Sequence, residues 1–508
     1  MYVNSEKCIN FATSIKHKKV KLPTKKSVLT QFFVSLCLIG TDLQAADKKI
    51  IVLADIHVMA PSLVDNTNNS DWQTYLATSK TMQNLSAPIF DTMTETIIRE
   101  KPDLLLIVGD LTKDSEVESH EYVLKNLTRI KNSGVKTYVI PGNHDRGWME
   151  RALIYRNDSS TPAEMIDNDG FMERYENFGY GSETEHFGST LNYVAEPFPG
   201  LTLIGVDSGI WVTYREGSID WVCEKAKEAQ AKGNLILLMV HHPIMPHYYY
   251  QNRIFELSVA ENYEEIREKF LNAGIKVVLT GHTHASDITR YTDNQGREIY
   301  DVGTGSPISY PCDYRILTIN DTDKTLNIRT NSLTQLDGYD NFQDYAEDRL
   351  RNSLNNWMKQ WFNEKIEVDE DNELLVSIMT QALSNAFVIH AIGNEAENPD
   401  AAESAIIYND LLRYLPRLDI PDDDIIKNIS LSMKSLLGDY PSEEETENVV
   451  NDRELTIQLS AVSDDIHEIT LTDEAKDEQW FSLLGTQLSG RPVQPGIYLH
   501  RGKKVLIK

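Results

Sequence analysis

Lys49-Ile50-Ile51-Val52-Leu53-Ala54-Asp55-Ile56-His57 joins a run of apolar residues to an acid and a histidine two positions apart. Unbroken apolar runs of this length are what strands covered on both faces require. Residues two apart in an extended chain share a side, so the Asp55 carboxylate and the His57 imidazole can reach one ion. The same arrangement recurs downstream. Gly109-Asp110 follows an apolar run over residues 104–108, and Gly142-Asn143-His144-Asp145 follows one over 137–140. His241-His242-Pro243 follows residues 235–240, and Gly281-His282-Thr283-His284 follows residues 277–280. One such cluster is a capping or core feature as readily as a ligand pair, but accidents at every strand end in turn are far rarer.

Residues 201–206 supply a further strand, and helical stretches separate the strands. Val123, Leu124, Leu127 and Ile130 lie on one face of residues 122–131, with Gly134 as the stop; Gly274 closes residues 264–271 in the same way. Alternating strands and helices predict an α/β layered domain over residues 47–332, in which the strand-end clusters converge at the carboxyl edge of the sheet. From residue 333 to 441 the pattern turns helical, with Leu350, Leu354, Trp357 and Trp361 on one face and further helices over 374–392 and 425–437. The glutamates of residues 442–447 read as a solvated linker opening a small β unit that runs to residue 508. Its expected strands are residues 455–459 and 469–471, followed by a terminal unit from Trp480.

The 508-residue chain has a formal net charge of −28. Residues 1–46 form a basic stretch, an apolar run over 28–39 and the small-residue end Leu43-Gln44-Ala45-Ala46, the pattern of a cleaved export signal. The run is too short and interrupted for a membrane span; an uncleaved anchor or a disordered tail is the competing reading. Without this leader the chain carries 42 basic against 75 acidic side chains. Such a body is a poor partner for long nucleic acids, and an anionic substrate would need local positive charge of the kind metal ions supply. The mixed oxygen and nitrogen donors suit Mn, Fe or Zn better than Ca or Mg.

The ordered set Asp-x-His, Gly-Asp, Gly-Asn-His-Asp, His-His-Pro and Gly-His-Thr-His resembles the calcineurin-like metallophosphoesterases over residues 50 to about 320. The resemblance implies a four-layer α/β/β/α sandwich and hydrolysis of phosphate esters by a bridging hydroxide at a dinuclear centre. It assigns Asp55, His57 and His284 to one metal, Asn143, His241 and His282 to the other, and Asp110 to both. His144 matches the position that protonates the leaving oxygen, and His242 is read as a supporting residue. Purple acid phosphatases carry a tyrosine ligand where this chain has Lys113, so a tyrosinate–iron chromophore is not expected. The terminal residues 496–508 resemble the C-terminal sorting tails of the bacterial type IX secretion system.

Other features leave alternatives open. Asp145 either orients His144 or is an exposed loop acid. Arg146 and Arg315 either clamp a phosphate or pair with surface acids. His247-Tyr248-Tyr249-Tyr250 and residues 148–180 either roof the cleft or pack. Cys223 and Cys312, the cysteines left after the leader, either pair or stay reduced. A cyclic-nucleotide phosphodiesterase, a nuclease, or a binding module without turnover are the competing functions.

Overall fold

The computed structural model describes residues 47–147, 151–249, 251–254, 257–320, 322–365, 368, 373–395, 398, 432, 435–437, 451–459, 480–482, 487–488, 496–500 and 503–507. The predicted leader, the acidic linker, residues 469–471 and most of the predicted 425–437 helix lie outside them.

Strands β1 (Lys48–Leu53), β2 (Leu104–Val108) and β3 (Lys136–Ile140) lie side by side and parallel. Helices α1 (Ser70–Thr78) and α2 (Ser86–Glu100) join the first two, and α3 (Val117–Asn132) joins the second pair. A hairpin, β4 (Leu153–Arg156) and β5 (Ser159–Pro162), and a short helix α4 (Asn168–Arg174) lead to the second sheet. That sheet holds β6 (Glu185–His186), β7 (Tyr193–Phe198), β8 (Leu201–Val206), β9 (Leu235–Val240), β10 (Val277–Thr280), β11 (Ile288–Thr292) and β12 (Glu298–Gly303). Its order is β11-β12-β10-β9-β8-β7-β6, with α5 (Ser218–Ala231) and α6 (Tyr263–Asn272) as crossovers. The chain then returns to the first sheet as β13 (Asp313–Asn320) and β14 (Thr325–Ser332).

Side-chain alternation assigns the layers. In β9, Leu237 and Met239 join the core shared with the first sheet, whereas Ile236, Leu238 and Val240 pack with Val222, Ala226, Ile266 and Phe270 of α5 and α6. On the far side of the first sheet lie Phe90, Met93 and Ile97 of α2 and Val123, Leu127 and Ile130 of α3. The order is therefore helix, sheet, sheet, helix, as the resemblance implies. Burial on both faces explains the unbroken apolar strands. Each fully buried Leu, Ile or Phe contributes about 1.5–3 kcal/mol, so these two interior layers rather than the loops hold the strand ends in place.

The boundaries after residue 332 differ from those expected. Residues 454–458, predicted to belong to the C-terminal unit, form β15 (Glu454–Gln458) on the edge of the first sheet, giving the order β15-β14-β13-β1-β2-β3. Leu326 faces Ile457 and Ile328 faces Leu455, so β15 covers what would otherwise be a long exposed edge. Helices α7 (Phe342–Lys365) and α8 (Glu373–Ile392) pack together through Leu350, Leu354, Met358 and Phe362, one face at fourfold spacing, against Met379, Leu383 and Phe387. Tyr248 of the α/β body enters the same apolar cluster. The Asp452 carboxylate accepts from the backbone N–H groups of Ile288 (2.7 Å) and Asn394 (2.8 Å), tying β15, α8 and the second sheet together. A separate antiparallel sheet of β16 (Trp480–Ser482), β17 (Gln487–Leu488), β18 (Gly496–His500) and β19 (Lys503–Ile507) ends the chain. Among the described residues no helix is long and apolar enough to cross a membrane.

Candidate metal centre

The carboxyl ends of β1, β2 and β3 meet those of β9 and β10, where short hydrogen bonds tie strand ends together within each sheet and, at Asp55, between the two. The Gly281 N–H donates to the His241 carbonyl (2.9 Å), the His282 N–H to Asp55 Oδ2 (2.8 Å) and the His144 N–H to Asp110 Oδ1 (2.8 Å). Such closeness excludes side chains at the neighbouring glycines. A Cβ on Gly109 would stand 2.4 Å from His241 Nδ1, and one on Gly142 2.1 Å from Asp110 Oδ1. Asp55, His57, Asp110, His282 and His284 themselves hold positive φ between 38° and 68°. L residues adopt that region at a cost, and such strain concentrates at functional sites.

All seven predicted ligands come together, in two groups. His57 Nε2 lies 3.1 Å from His284 Nε2, and His284 Nε2 lies 3.4 Å from Asp55 Oδ1. Asn143 Oδ1 lies 3.1 Å from both His241 Nε2 and His282 Nδ1. Asp110 stands between the groups, its Oδ2 3.5 Å from His57 Nε2 and 3.2 Å from His241 Nε2. Donors bound at about 2.0–2.2 Å around one ion are separated by roughly 3.0–3.5 Å, which matches these spacings. Asp55 Oδ1 is buried without a hydrogen-bond partner among the described residues, the state expected of a ligand oxygen whose partner is an ion. The residues therefore fit a dinuclear metal centre.

Protonation favours the same use. His241 Nδ1 donates to the Val108 carbonyl (2.9 Å), so Nε2 faces the site. Burial pushes His57 and His282 toward the neutral, ligating form, His282 down to about 3. At His241 burial acts in the same direction, but the Asp110 carboxylate overrides it and raises the ring to about 9. That side of the site attracts positive charge, which a metal ion supplies as a proton does. His242 is buried with Nδ1 2.7 Å from Ser208 Oγ, and its ring lies 4.3 Å from that of His282.

His144 is held by a residue that the sequence did not single out. Its Nδ1 lies 2.9 Å from Asp114 Oδ1 and 2.6 Å from the Lys113 carbonyl, and its ring meets His57 edge-on at 4.8 Å. Burial lowers its pKa, but Asp110 and Asp114 outweigh that and raise it. Asp145 is neither the orienting group nor exposed. It is fully buried and accepts from the backbone N–H groups of Leu111, Thr112 and Gly142, pinning the loops that carry Asp110 and Asn143. Lys113 is buried beside Asp114, 4.6 Å over the Tyr75 ring. A lone acid in a polar loop gives no sequence signal of its own; only its place near His144 marks Asp114.

Neither arginine proposed as a phosphate clamp is available in the structure. Arg146 makes a bidentate pair with Asp207 at 2.8 Å. Arg315 is wholly buried and donates to the Gly303 and Asp452 carbonyls and to Thr330 Oγ1; it joins the two sheets and the β15 segment. Arginine's fork matches any grouped oxygens, and proximity to a motif in sequence does not reveal which. Cys223 and Cys312 are both free and buried. The hairpin β4–β5 packs Tyr155 against Met59, Leu63 and Trp72, whereas Tyr248 borders a cavity lined by His282 and His284. Trp148 and Tyr250 lie outside the described residues.

Carboxylate, amide and imidazole groups at the strand ends of two packed sheets make a candidate metallophosphoesterase site. Residues 48–286 match the model of the calcineurin-like phosphoesterase family; the protein is a hydrolase acting on phosphoric esters. A 3′,5′-cyclic-nucleotide phosphodiesterase of Nostoc sp. is 25% identical over 239 residues, 46% of this chain and 71% of that protein. A dimetal phosphatase from Danio rerio aligns in structure with a TM-score of 0.40 and 12% identity, covering 56% of this chain and 96% of that one.

The glycine cradle makes a direct test. Gly142→Ala drives a methyl group into Asp110, so manganese affinity measured by titration and elemental analysis should fall roughly 10–100-fold, as when ligand support is lost. Unchanged affinity in a folded Gly142→Ala protein would contradict the geometry.

Proposed function

We propose that this chain hydrolyses phosphate esters at a dinuclear metal centre held by Asp55, His57 and His284 on one side and Asn143, His241 and His282 on the other, with Asp110 common to both. The observation that carries the reading is the division of seven donors, five of them buried and His282 and His284 partly exposed, into two groups around one carboxylate. Metal ions bound there would neutralise the phosphoryl oxygens and lower the pKa of the attacking water. Against a chain of formal net charge −28, this is the local positive charge an anionic ester needs.

The chain's own residues do the rest. His144, with Nδ1 held by Asp114 and the Lys113 carbonyl, presents Nε2 to the departing oxygen and gives it the proton. Asp114 fixes the ring's orientation and favours the protonated ring, as an acid catalyst requires. Asp145 holds the Asp110 and Asn143 loops at fixed spacing through its three backbone bonds. The name of the Nostoc relative favours cyclic or other phosphodiesters as a second reading of the substrate.

Two predictions follow from this assignment and from the N-terminus. In metal-loaded His144→Ala, hydrolysis of alkyl esters should fall about 10²–10⁴-fold, while p-nitrophenyl esters, whose leaving group needs no proton, should lose far less. Equal losses on both would remove His144 from the acid role. The basic stretch, apolar run and Ala45-Ala46 end further support export, with the terminal residues 496–508 as a sorting tail. N-terminal sequencing of the protein from its native cells should then find a mature start at Ala46 or Asp47, and an intact Met1 would refute export by cleavage.

A further inference from the structure

Beside the candidate metal centre is a cavity of about 410 Å³ with His282 and His284 in its wall, within the usual range of about 300–1,000 Å³ for small-molecule sites. Helices α7 and α8 supply its apolar side through Leu350, Leu354, Phe387 and Ala391, and the α/β body supplies Tyr248 and Gln251. A wider groove of about 880 Å³ between the Trp211 and Leu257 loops contains none of the seven ligands. The smaller cavity is the one placed to receive whatever is attached to a phosphoryl group at the metals.

Its polar groups are incomplete. Tyr248 Oη, Gln251 Nε2 and His390 Nε2 are buried and have no hydrogen-bond partner among the described residues. All three residues line this cavity and are at most 4% exposed. Buried polar atoms are rarely left unpaired, and several around one space indicate a missing ligand.

The other end of each side chain sets what that ligand must offer. Gln251 Oε1 accepts from the His247 N–H at 2.7 Å, so the amide nitrogen turns the opposite way, as a donor. His390 Nδ1 lies 2.8 Å from Glu395 Oε1 and 3.3 Å from Asp287 Oδ2, so the ring proton belongs there. Nε2 of the neutral ring, the form burial favours, is then an acceptor. The Tyr248 hydroxyl can serve either way.

We propose that this cavity seats the leaving group of the phosphoester and selects a flat, largely apolar ring whose edge carries a donor beside an acceptor, the chemistry of a nucleobase. The proposal rests on the phosphoesterase reading of the metal centre, and it gives α7 and α8 a part in substrate choice. The hydrolytic step is unchanged by it: water adds to phosphorus, the bond to the alcohol oxygen breaks, and that oxygen takes a proton.

The test compares kcat/KM of the manganese-loaded full chain for adenosine esters, 5′-AMP and 3′,5′-cyclic AMP, with phenyl phosphate and diphenyl phosphate. Tyr248→Phe keeps the packing and removes the hydroxyl; Gln251→Glu keeps the acceptor for His247 and removes the donor. Each should lower the adenosine-to-phenyl ratio by at least about tenfold, the loss expected when a site built to hydrogen-bond is left unpaired. Calorimetric titration with adenosine, which needs no turnover, should show binding to the wild type and weaker binding to both variants. Unchanged ratios, or no adenosine binding, would overturn the cavity assignment while leaving phosphoester hydrolysis standing. Absence of turnover on every ester would instead sink the metal-centre reading.

Discussion

The Asp110 carboxylate is almost fully buried, with His57 from the first sheet on one side and His241 from the second on the other. An ionised carboxylate removed from water is costly unless charge and hydrogen bonds replace what it loses. Here the replacement comes from both sheets at once: the His144 N–H on Oδ1, and imidazoles, with the ions they are arranged to hold, around Oδ2. The two sheets must therefore end in register with each other. The positive φ angles of the ligand residues and the side-chain-free glycines at 109 and 142 are local consequences of that demand.

The parts of this arrangement that were legible in the sequence are those with a local cause. Strands β2, β8, β9 and β10 could be placed from their apolar runs, because a parallel strand covered on both faces has no polar alternation to blur it. The candidate ligands stood out for a related reason, since each cluster follows such a run. Strands β13 and β14 were not, because antiparallel pairs such as Thr325–Ser332 alternate polar and apolar residues and read like loops when short. The place of β15 was hidden by distance, as its partner lies more than a hundred residues away in the chain. Arg146, Arg315 and Asp145 mark the same limit at the site: their types were compatible with binding, but the carboxylate, carbonyls and backbone amides that claim them are brought close only by the fold.

The helical region gains meaning from the same geometry. α7 and α8 form their own apolar cluster, yet Tyr248 from the α/β body is part of it and Asp452 binds backbone from both. Helices α7 and α8 are accordingly joined to the α/β body rather than detached from it. The buried chain of His247, Asp287, His390 and Glu395 runs from the second sheet into the end of α8. Its carboxylates set the hydrogen-bonding state of His390, which borders the cavity beside the ligands. Structure at the far end of the chain thereby reaches the place where chemistry occurs.

The central claim, that Asp110 is shared by two metals, is tested most directly by a crystal of the manganese-loaded protein with anomalous scattering recorded. The account predicts two peaks about 3.5–4 Å apart, flanking Asp110, one beside Asp55, His57 and His284 and the other beside Asn143, His241 and His282. A single peak, or a pair of which neither adjoins Asp110, would contradict it.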